Sequence, residues 1–115
     1  LLEDAQDMLL LPRATPGSDP SWFGFPVTLT EAAPVGRRDL LGYLDQNRVG
    51  SRMLFAGNLL RQPYMQGRHH RVVGELRNTD NVMNNTFWIG VQPSLDEEML
   101  AFAARTIKEF LGVDT

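Results

Sequence analysis

Hydrophobic and polar positions alternate in blocks along this chain, and the period changes from block to block. Leu2, Ala5 and Leu9, with Leu1 and Met8 beside them, fall on one helical stripe. They predict a helix over residues 1–10. It should stop ahead of Leu11-Pro12, because the residue before a proline avoids the helical region. No capping residue precedes Leu1, and a helix that starts in mid-turn suggests a chain whose start has been removed. Residues 12–21 hold Pro12, Pro16, Pro20 and Gly17, which predicts an extended loop or linker. Over residues 22–29 the period becomes two. Phe23, Phe25, Val27 and Leu29 share one face of a half-buried strand, and Pro26, which cannot donate to a ladder, points to an edge.

Leu40, Leu41 and Leu44 return to helical spacing, predicting a short amphipathic helix over 37–47. A second strand follows over 49–55, with Arg52 and Leu54 on one face and Ser51, Met53 and Phe55 on the other. Residues 56–77 show no period and contain glycines and a proline, the mark of a functional or mobile loop. Residues 78–85 suit one or two helical turns capped by Asn78 or Thr79. Residues 86–91 read as a third strand. The final helix carries the stripe Met99, Leu100, Ala103, Ile107, Phe110 and Leu111. Ser94 and Glu97 form a capping box before it, and Gly112 closes it.

The order predicts an α/β fold class, with a sheet of about three strands and helices on one face. The expected core is Phe23, Phe25, Val27, Leu40, Leu44, Leu54, Ile89, Val91, Leu100, Ile107 and Phe110. At 115 residues this is one domain. No apolar run approaches the ~20 residues that span a bilayer, so no membrane partner is expected. The opening residues are acidic, unlike a signal peptide. The lack of cysteine excludes disulfides and thiolate metal sites, in keeping with a cytoplasmic protein.

The net charge of −3 hides an uneven distribution. Residues 1–36 carry −4, residues 37–77 carry +5 and residues 78–115 carry −4. Ten of the eleven basic residues are Arg, whose planar fork matches phosphate and carboxylate. The middle third is therefore either an anion site or a solvated surface with internal ion pairs. An acidic pI of about 5.2 and the lack of interleaved aromatics argue against nucleic acid.

No phosphate loop, metal-ligand spacing or nucleophile elbow is present. His69-His70, in the run GRHHR, has no third ligand nearby and reads as an exposed loop. Lys108, the only lysine, lies on a charged helix face. A Schiff-base lysine needs a desolvating pocket, so no residue here is a candidate for that covalent chemistry. The densest unusual stretch is residues 51–63. Arg52 lies on a strand among bulky apolar neighbours, and a buried unpaired guanidinium is costly. It must meet a carboxylate (Asp39, Asp45 and Glu75 are candidates), backbone carbonyls or a ligand anion. Asn58, Arg61 and Gln62 follow closely, either as contacts to an oxygen-rich ligand or as a packed loop satisfying its own backbone.

The stretches SWFGFPVTL, RMLFAGNLLRQP and NTD-x-VMNNTFWIGV carry a resemblance. They resemble the C-terminal domain of the CDP-4-keto-6-deoxyglucose 3-dehydrases, within the sugar aminotransferase-like, fold-type-I B6-dependent enzymes. The likeness runs from about Leu11 to Phe110, and FAGN-x-x-RQP is its specific part. It implies residues 1–11 as the end of a helix from a missing upstream domain, and residues 12–115 as a small C-terminal domain. The full enzyme would use pyridoxamine or pyridoxal phosphate, bound mainly upstream, in 3,6-dideoxyhexose and O-antigen lipopolysaccharide biosynthesis. A histidine in place of the usual lysine, and an iron–sulfur cluster, would also lie upstream. A homodimer and a flavin/iron–sulfur reductase partner are implied as well.

The resemblance places the segment matching residues 52–63 at a substrate-facing edge. Arg52, Asn58, Arg61 and Gln62 become expected contacts to a nucleotide-sugar or the cofactor, with Ser21, Trp22 and Phe23 bordering the same cleft. No catalytic residue and no metal ligand is expected within this chain, which should be inactive by itself. The rival readings are the matching domain of a sugar aminotransferase and a free-standing anion-binding module.

Overall fold

A computed structural model describes residues 1–114; Thr115, the last residue of the expected domain, lies outside the described residues. Four strands form one antiparallel sheet in the order β1-β2-β4-β3. These are β1 (Leu9–Leu10), β2 (Gly24–Leu29), β3 (Ser51–Met53) and β4 (Thr86–Gly90). Three helices accompany them: α1 (Arg37–Gln46), α2 (Arg77–Asn85) and α3 (Glu97–Leu111). The α/β class is as expected, with a fourth strand added.

That strand comes from the segment read as a helix. Residues 1–10 form a single 3-10 turn at Glu3–Ala5 and then β1, whose Leu9 and Leu10 pair with Leu29 and Thr28. The stripe of Leu2, Ala5 and Leu9 is buried, but in a turn followed by a strand. Three apolar residues spaced by three and four fit a helix or a tight turn equally well. A short helix is marginal without packing, whereas Leu9 gains a ladder with β2. The expected helix over residues 1–10 is thereby corrected to a turn and a strand.

Pairing across β2 and β4 sets Val27 opposite Phe87 and Phe25 opposite Ile89. With the period of two, these residues and Leu29 face the helices. Leu40 and Leu44 of α1 and Ile107 and Leu111 of α3 close the core from that side, and Tyr43 stacks on Phe110 with ring centroids 4.7 Å apart. β2 is an interior strand, but β1 reaches only Thr28 and Leu29. Pro26 therefore meets a partner on the β4 side alone, which accommodates its missing N–H.

Several expected core residues lie outside. Phe23 is 79% exposed, Val91 45% and Leu100 41%. Phe23 precedes the paired part of β2, and Val91 follows β4, so neither is fixed by the ladder. The stripe of α3 rotates along its length: its first turns expose Met99, Leu100 and Phe102, while Ala104, Thr106, Ile107 and Leu111 are buried. Thr106 hides its hydroxyl by donating to the Phe102 carbonyl, 2.8 Å away.

The caps shift too. Asp96, not Ser94, caps α3 by accepting from the Met99 amide at 2.8 Å, which makes Glu97 the first helical residue. α2 begins after Leu76 in a left-handed conformation, with no side-chain cap from Asn78 or Thr79. Gly112 ends α3 at φ 73°, as expected. The two ends of the chain are tied by Lys108, whose ammonium donates to Asp4.

Removing the fully buried Ile107 side chain with Ile107→Ala should cost about 2–5 kcal/mol in urea unfolding. Leu100→Ala on the same helix should stay within roughly 1 kcal/mol, because its side chain is already in part solvated.

Candidate functional site

Helices α1 and α3 cover one face of the sheet; the opposite face carries a group of aromatic side chains. Trp88 on β4 lies opposite Pro26 and Arg52. Phe23 reaches it with ring centroids 5.2 Å apart, and Phe55 meets it nearly edge-on at 5.0 Å, both ordinary aromatic geometries. Gly24 permits this arrangement. A Cβ built there would lie 3.0 Å from the Trp88 ring, so the glycine lets the indole lie down on the strand. Phe23, Arg52, Met53, Phe55 and Trp88 line an open depression of about 480 Å³. A second hollow of about 840 Å³ adjoins it through Phe23, Gly50 and Ile89 and runs to Met99 and Phe102 of α3.

Phe55 is 80% exposed and held at φ 43°, a left-handed backbone that a bulky residue seldom adopts. Such strain persists only where surrounding contacts impose it. Gly57, at φ 64°, supplies them: a Cβ there would come within 2.4 Å of the Met83 side chain, so the loop lies directly against α2. Beside that contact, Asp80 of α2 accepts from Asn58 Nδ2 at 2.7 Å, from Arg61 Nη2 at 2.9 Å and from Arg61 Nε at 3.3 Å. The Asn58 side-chain Oδ1 accepts from the Leu60 amide at 3.0 Å, and Gln62 Nε2 donates to the Ala56 backbone carbonyl at 2.7 Å. Hydrogen bonds from Arg61 first, and then from Asn58, hold the Asp80 carboxyl below its ordinary pKa. The same contact raises that of Arg61.

The seven expected site residues thus divide. Phe23 and Arg52 meet at the aromatic depression. Ser21 and Trp22 are exposed just ahead of Phe23. Asn58, Arg61 and Gln62 belong to a separate network, and each has internal partners. Of the partners expected for Arg52, it meets a backbone carbonyl: its exposed side chain donates to the Ser51 carbonyl at 2.9 Å, with none of Asp39, Asp45 or Glu75 as partner. β3 is the outer strand of the sheet, so one side of Arg52 opens to solvent.

Sequence reasoning missed Phe55, Trp88 and Asp80. Phe55 opens the FAGN motif, and its turn-forming Ala56-Gly57 was the available signal; Asp80 stood in the NTD block without an assigned partner. His69 and His70 are exposed, and no cluster of three metal-ligating side chains occurs among the described residues. Lys108, which the sequence sets on a charged helix face, is bonded to Asp4 and largely covered.

The sheet and its helices make an α/β domain. Residues 1–108 match the DegT/DnrJ/EryC1/StrS aminotransferase family, and the chain belongs to that family. It is 51% identical over 113 residues to the lipopolysaccharide biosynthesis protein RfbH of Salmonella typhimurium, covering 98% of this chain and 26% of that protein. It is 42% identical over 104 residues to the dTDP-4-dehydro-2,6-dideoxy-D-glucose 3-dehydratase of Saccharopolyspora spinosa, covering 90% of this chain and 22% of that one. The chain thus spans about a quarter of the length of these relatives. Among solved structures, GDP-4-keto-6-deoxy-D-mannose-3-dehydratase of E. coli with bound hydrated PLP superposes with a TM-score of 0.81 at 20% identity, covering 93% of this chain and 28% of that one. A DegT/DnrJ/EryC1/StrS aminotransferase from Brucella abortus gives 0.79 at 17% identity, covering 96% of this chain and 28% of that one. These likenesses establish the fold.

The Asp80 carboxylate has a folded pKa below its ordinary 3.8. Its contribution to stability is therefore present above the ordinary value and is lost as pH falls through the lower folded one. In Arg61→Gln, the Asp80 titration followed by carboxyl NMR should move up toward the ordinary value. An unchanged midpoint would mean that Arg61 does not hold the carboxylate in solution.

Proposed function

We propose that this chain is the C-terminal domain of a B6-dependent nucleotide-sugar 3-dehydrase, a lyase of 3,6-dideoxyhexose and lipopolysaccharide biosynthesis. The observation that carries this reading is the 51% identity to RfbH over nearly the whole chain, supported by the match to a sugar 3-dehydratase. In this reading residues 1–11, which here complete the sheet and core, are where an upstream domain joins, and residues 12–115 form the small domain. The pyridoxamine or pyridoxal phosphate would be held upstream, where it would supply the electron sink for loss of the 3-hydroxyl. Nothing in this chain fits the linking role: its one lysine is engaged by Asp4. An iron–sulfur cluster, a reductase partner, a homodimer and a cytoplasmic location belong to the same proposal. Among the described residues no helix is long and apolar enough to cross a membrane.

The share of the reaction proposed for this chain is to bind and orient. Arg52 stands exposed beside an aromatic wall, on the sheet face opposite the helices. A guanidinium in that position suits the diphosphate of a nucleotide-sugar or the cofactor phosphate. Phe23 lines the same depression, and in this reading Trp22 and Ser21, just ahead of it, would border the substrate cleft. Asn58, Arg61 and Gln62 lie on the loop that carries Phe55.

The full-length protein should release water from a nucleotide 4-keto-6-deoxy sugar when supplied with pyridoxamine phosphate, and the 115-residue chain alone should not. Arg52→Gln in the full-length protein should raise KM or Kd for the sugar about ten-fold or more, the loss of one charge-assisted contact. Its melting temperature should hardly change, because the side chain is exposed. Unaltered substrate kinetics would remove Arg52 from the site, and transamination of the same sugar would favour an aminotransferase.

A further inference from the structure

The loop over residues 54–62 has little regular structure to hold it, yet it presents Phe55 in a strained conformation against Trp88. Its backbone gives itself two short turns, from the Phe55 amide to the Met53 carbonyl at 2.8 Å and from the Gly57 amide to the Leu54 carbonyl at 3.0 Å. Those turns shape the loop but do not say where it lies. Its position is set from α2. Asp80 and Met83 are three residues apart, so they stand on the same face of that helix. Met83 receives the flat side of Gly57, and Asp80 takes donors from both ends of the following 3-10 turn, Asn58 and Arg61. The helix is itself anchored. Arg37 of α1 donates to the Met83 carbonyl at 2.6 Å and to the Thr86 carbonyl at 2.9 Å, at the junction of α2 and β4. Trp88 follows two residues later. The two aromatic sides of the depression are thus referred to one rigid junction, one through β4 and one through the Asp80 contacts.

We infer that Asp80 is a positioning residue, which clamps the loop through Asn58 and Arg61 so that Phe55 stands at the edge of the depression beside Arg52. This inference rests on the proposed substrate-facing role of that depression and assigns Asn58 and Arg61 to the loop's placement instead of to the ligand. The chemistry of the pair agrees. Arg61 gives Asp80 two roughly parallel N–H donors, the geometry that fixes orientation as well as distance. Asn58 is buried, and both ends of its amide are engaged, the donor by Asp80 and the oxygen by the Leu60 amide. A ligand would have to displace those bonds to reach Asn58. Arg61 remains 61% exposed, so exposure alone does not decide between clamp and ligand contact.

The full-length enzyme can decide. Asp80→Asn should raise KM for the nucleotide-sugar about ten-fold, as expected for a displaced positioning loop, with a smaller change in kcat and bound cofactor retained. Arg61→Gln should do the same. The double variant should be no worse than either single one, because both break the same clamp; additive losses would mean that Arg61 meets the ligand directly and would overturn the inference. The charge exchange Asp80→Arg with Arg61→Asp is the second test. Recovery of most of the lost KM supports the clamp, since a direct anion contact by Arg61 could not survive its replacement by a carboxylate. A lowered melting temperature with normal KM in Asp80→Asn would show a merely structural role and would also overturn it. Failure of the wider reading looks different: wild-type enzyme that turns over no nucleotide-sugar, or Arg52→Gln with normal kinetics.

Discussion

The β2–β4 ladder is the constraint on which the rest of the molecule depends. It pairs Gly24 through Thr28 with Gly90 through Thr86, and Val27 and Phe87 at its centre are fully buried. Because side chains alternate on a strand, this one register decides both faces at once. It gives Phe25, Val27, Phe87 and Ile89 to the helices, and it gives Trp88 to the other side with Gly24 diagonally beneath it. A slip by one residue would bury Trp88 and expose Phe87, removing core and depression together. Thr28 and Thr86 lock the inner end of the ladder with a hydroxyl contact of 2.7 Å on that second face.

Much of this arrangement was legible in the sequence. The period of two found β2, residues 86–91 read as the strand that is β4, and the period of 3.6 found α1 and α3. These segments are either long or flanked by clear punctuation. The misreadings fell where two structures share one pattern. Leu2, Ala5 and Leu9 suit a helix by spacing, and only the availability of an open ladder position beside Leu29 makes the end of that segment a strand. Phe23, Val91 and Leu100 look like core residues by hydrophobicity, but each stands just past the point at which tertiary packing ends. Cap assignment failed for a related reason: Ser94 and Asp96 are both good caps, and the turn through Leu95 selects the second.

The candidate site was legible as a set of residues and not as an arrangement. Arg52, Asn58, Arg61 and Gln62 are close in sequence, which suggested one cluster. The strand end at Met53 and the left-handed turn at Phe55 separate them, leaving Arg52 with the aromatic side chains and passing the other three to the α2 side. The acid that organises the latter group, Asp80, is 22 and 19 residues from Asn58 and Arg61. Pairings over such distances are set by topology, and no local period reports them. The middle-third charge of +5 is likewise not one feature: Arg37 is spent on carbonyls, Arg61 on Asp80, and Arg52 stands exposed.

The segment between β1 and β2 behaves differently from everything above. Residues 13–23 are exposed throughout, and together with the equally exposed 66–75 they accompany a radius of gyration of 15.9 Å, against about 13 Å for a compact chain of this length. An exposed peptide is ordinarily a floppy one, and a floppy one must be frozen before it can be gripped. Here Pro12, Pro16 and Pro20 have each fixed one torsion in the chain's covalent structure, in the unfolded state as well as the folded. The segment is stiffened in part from within, so a surface that meets it gives up less disorder in holding it.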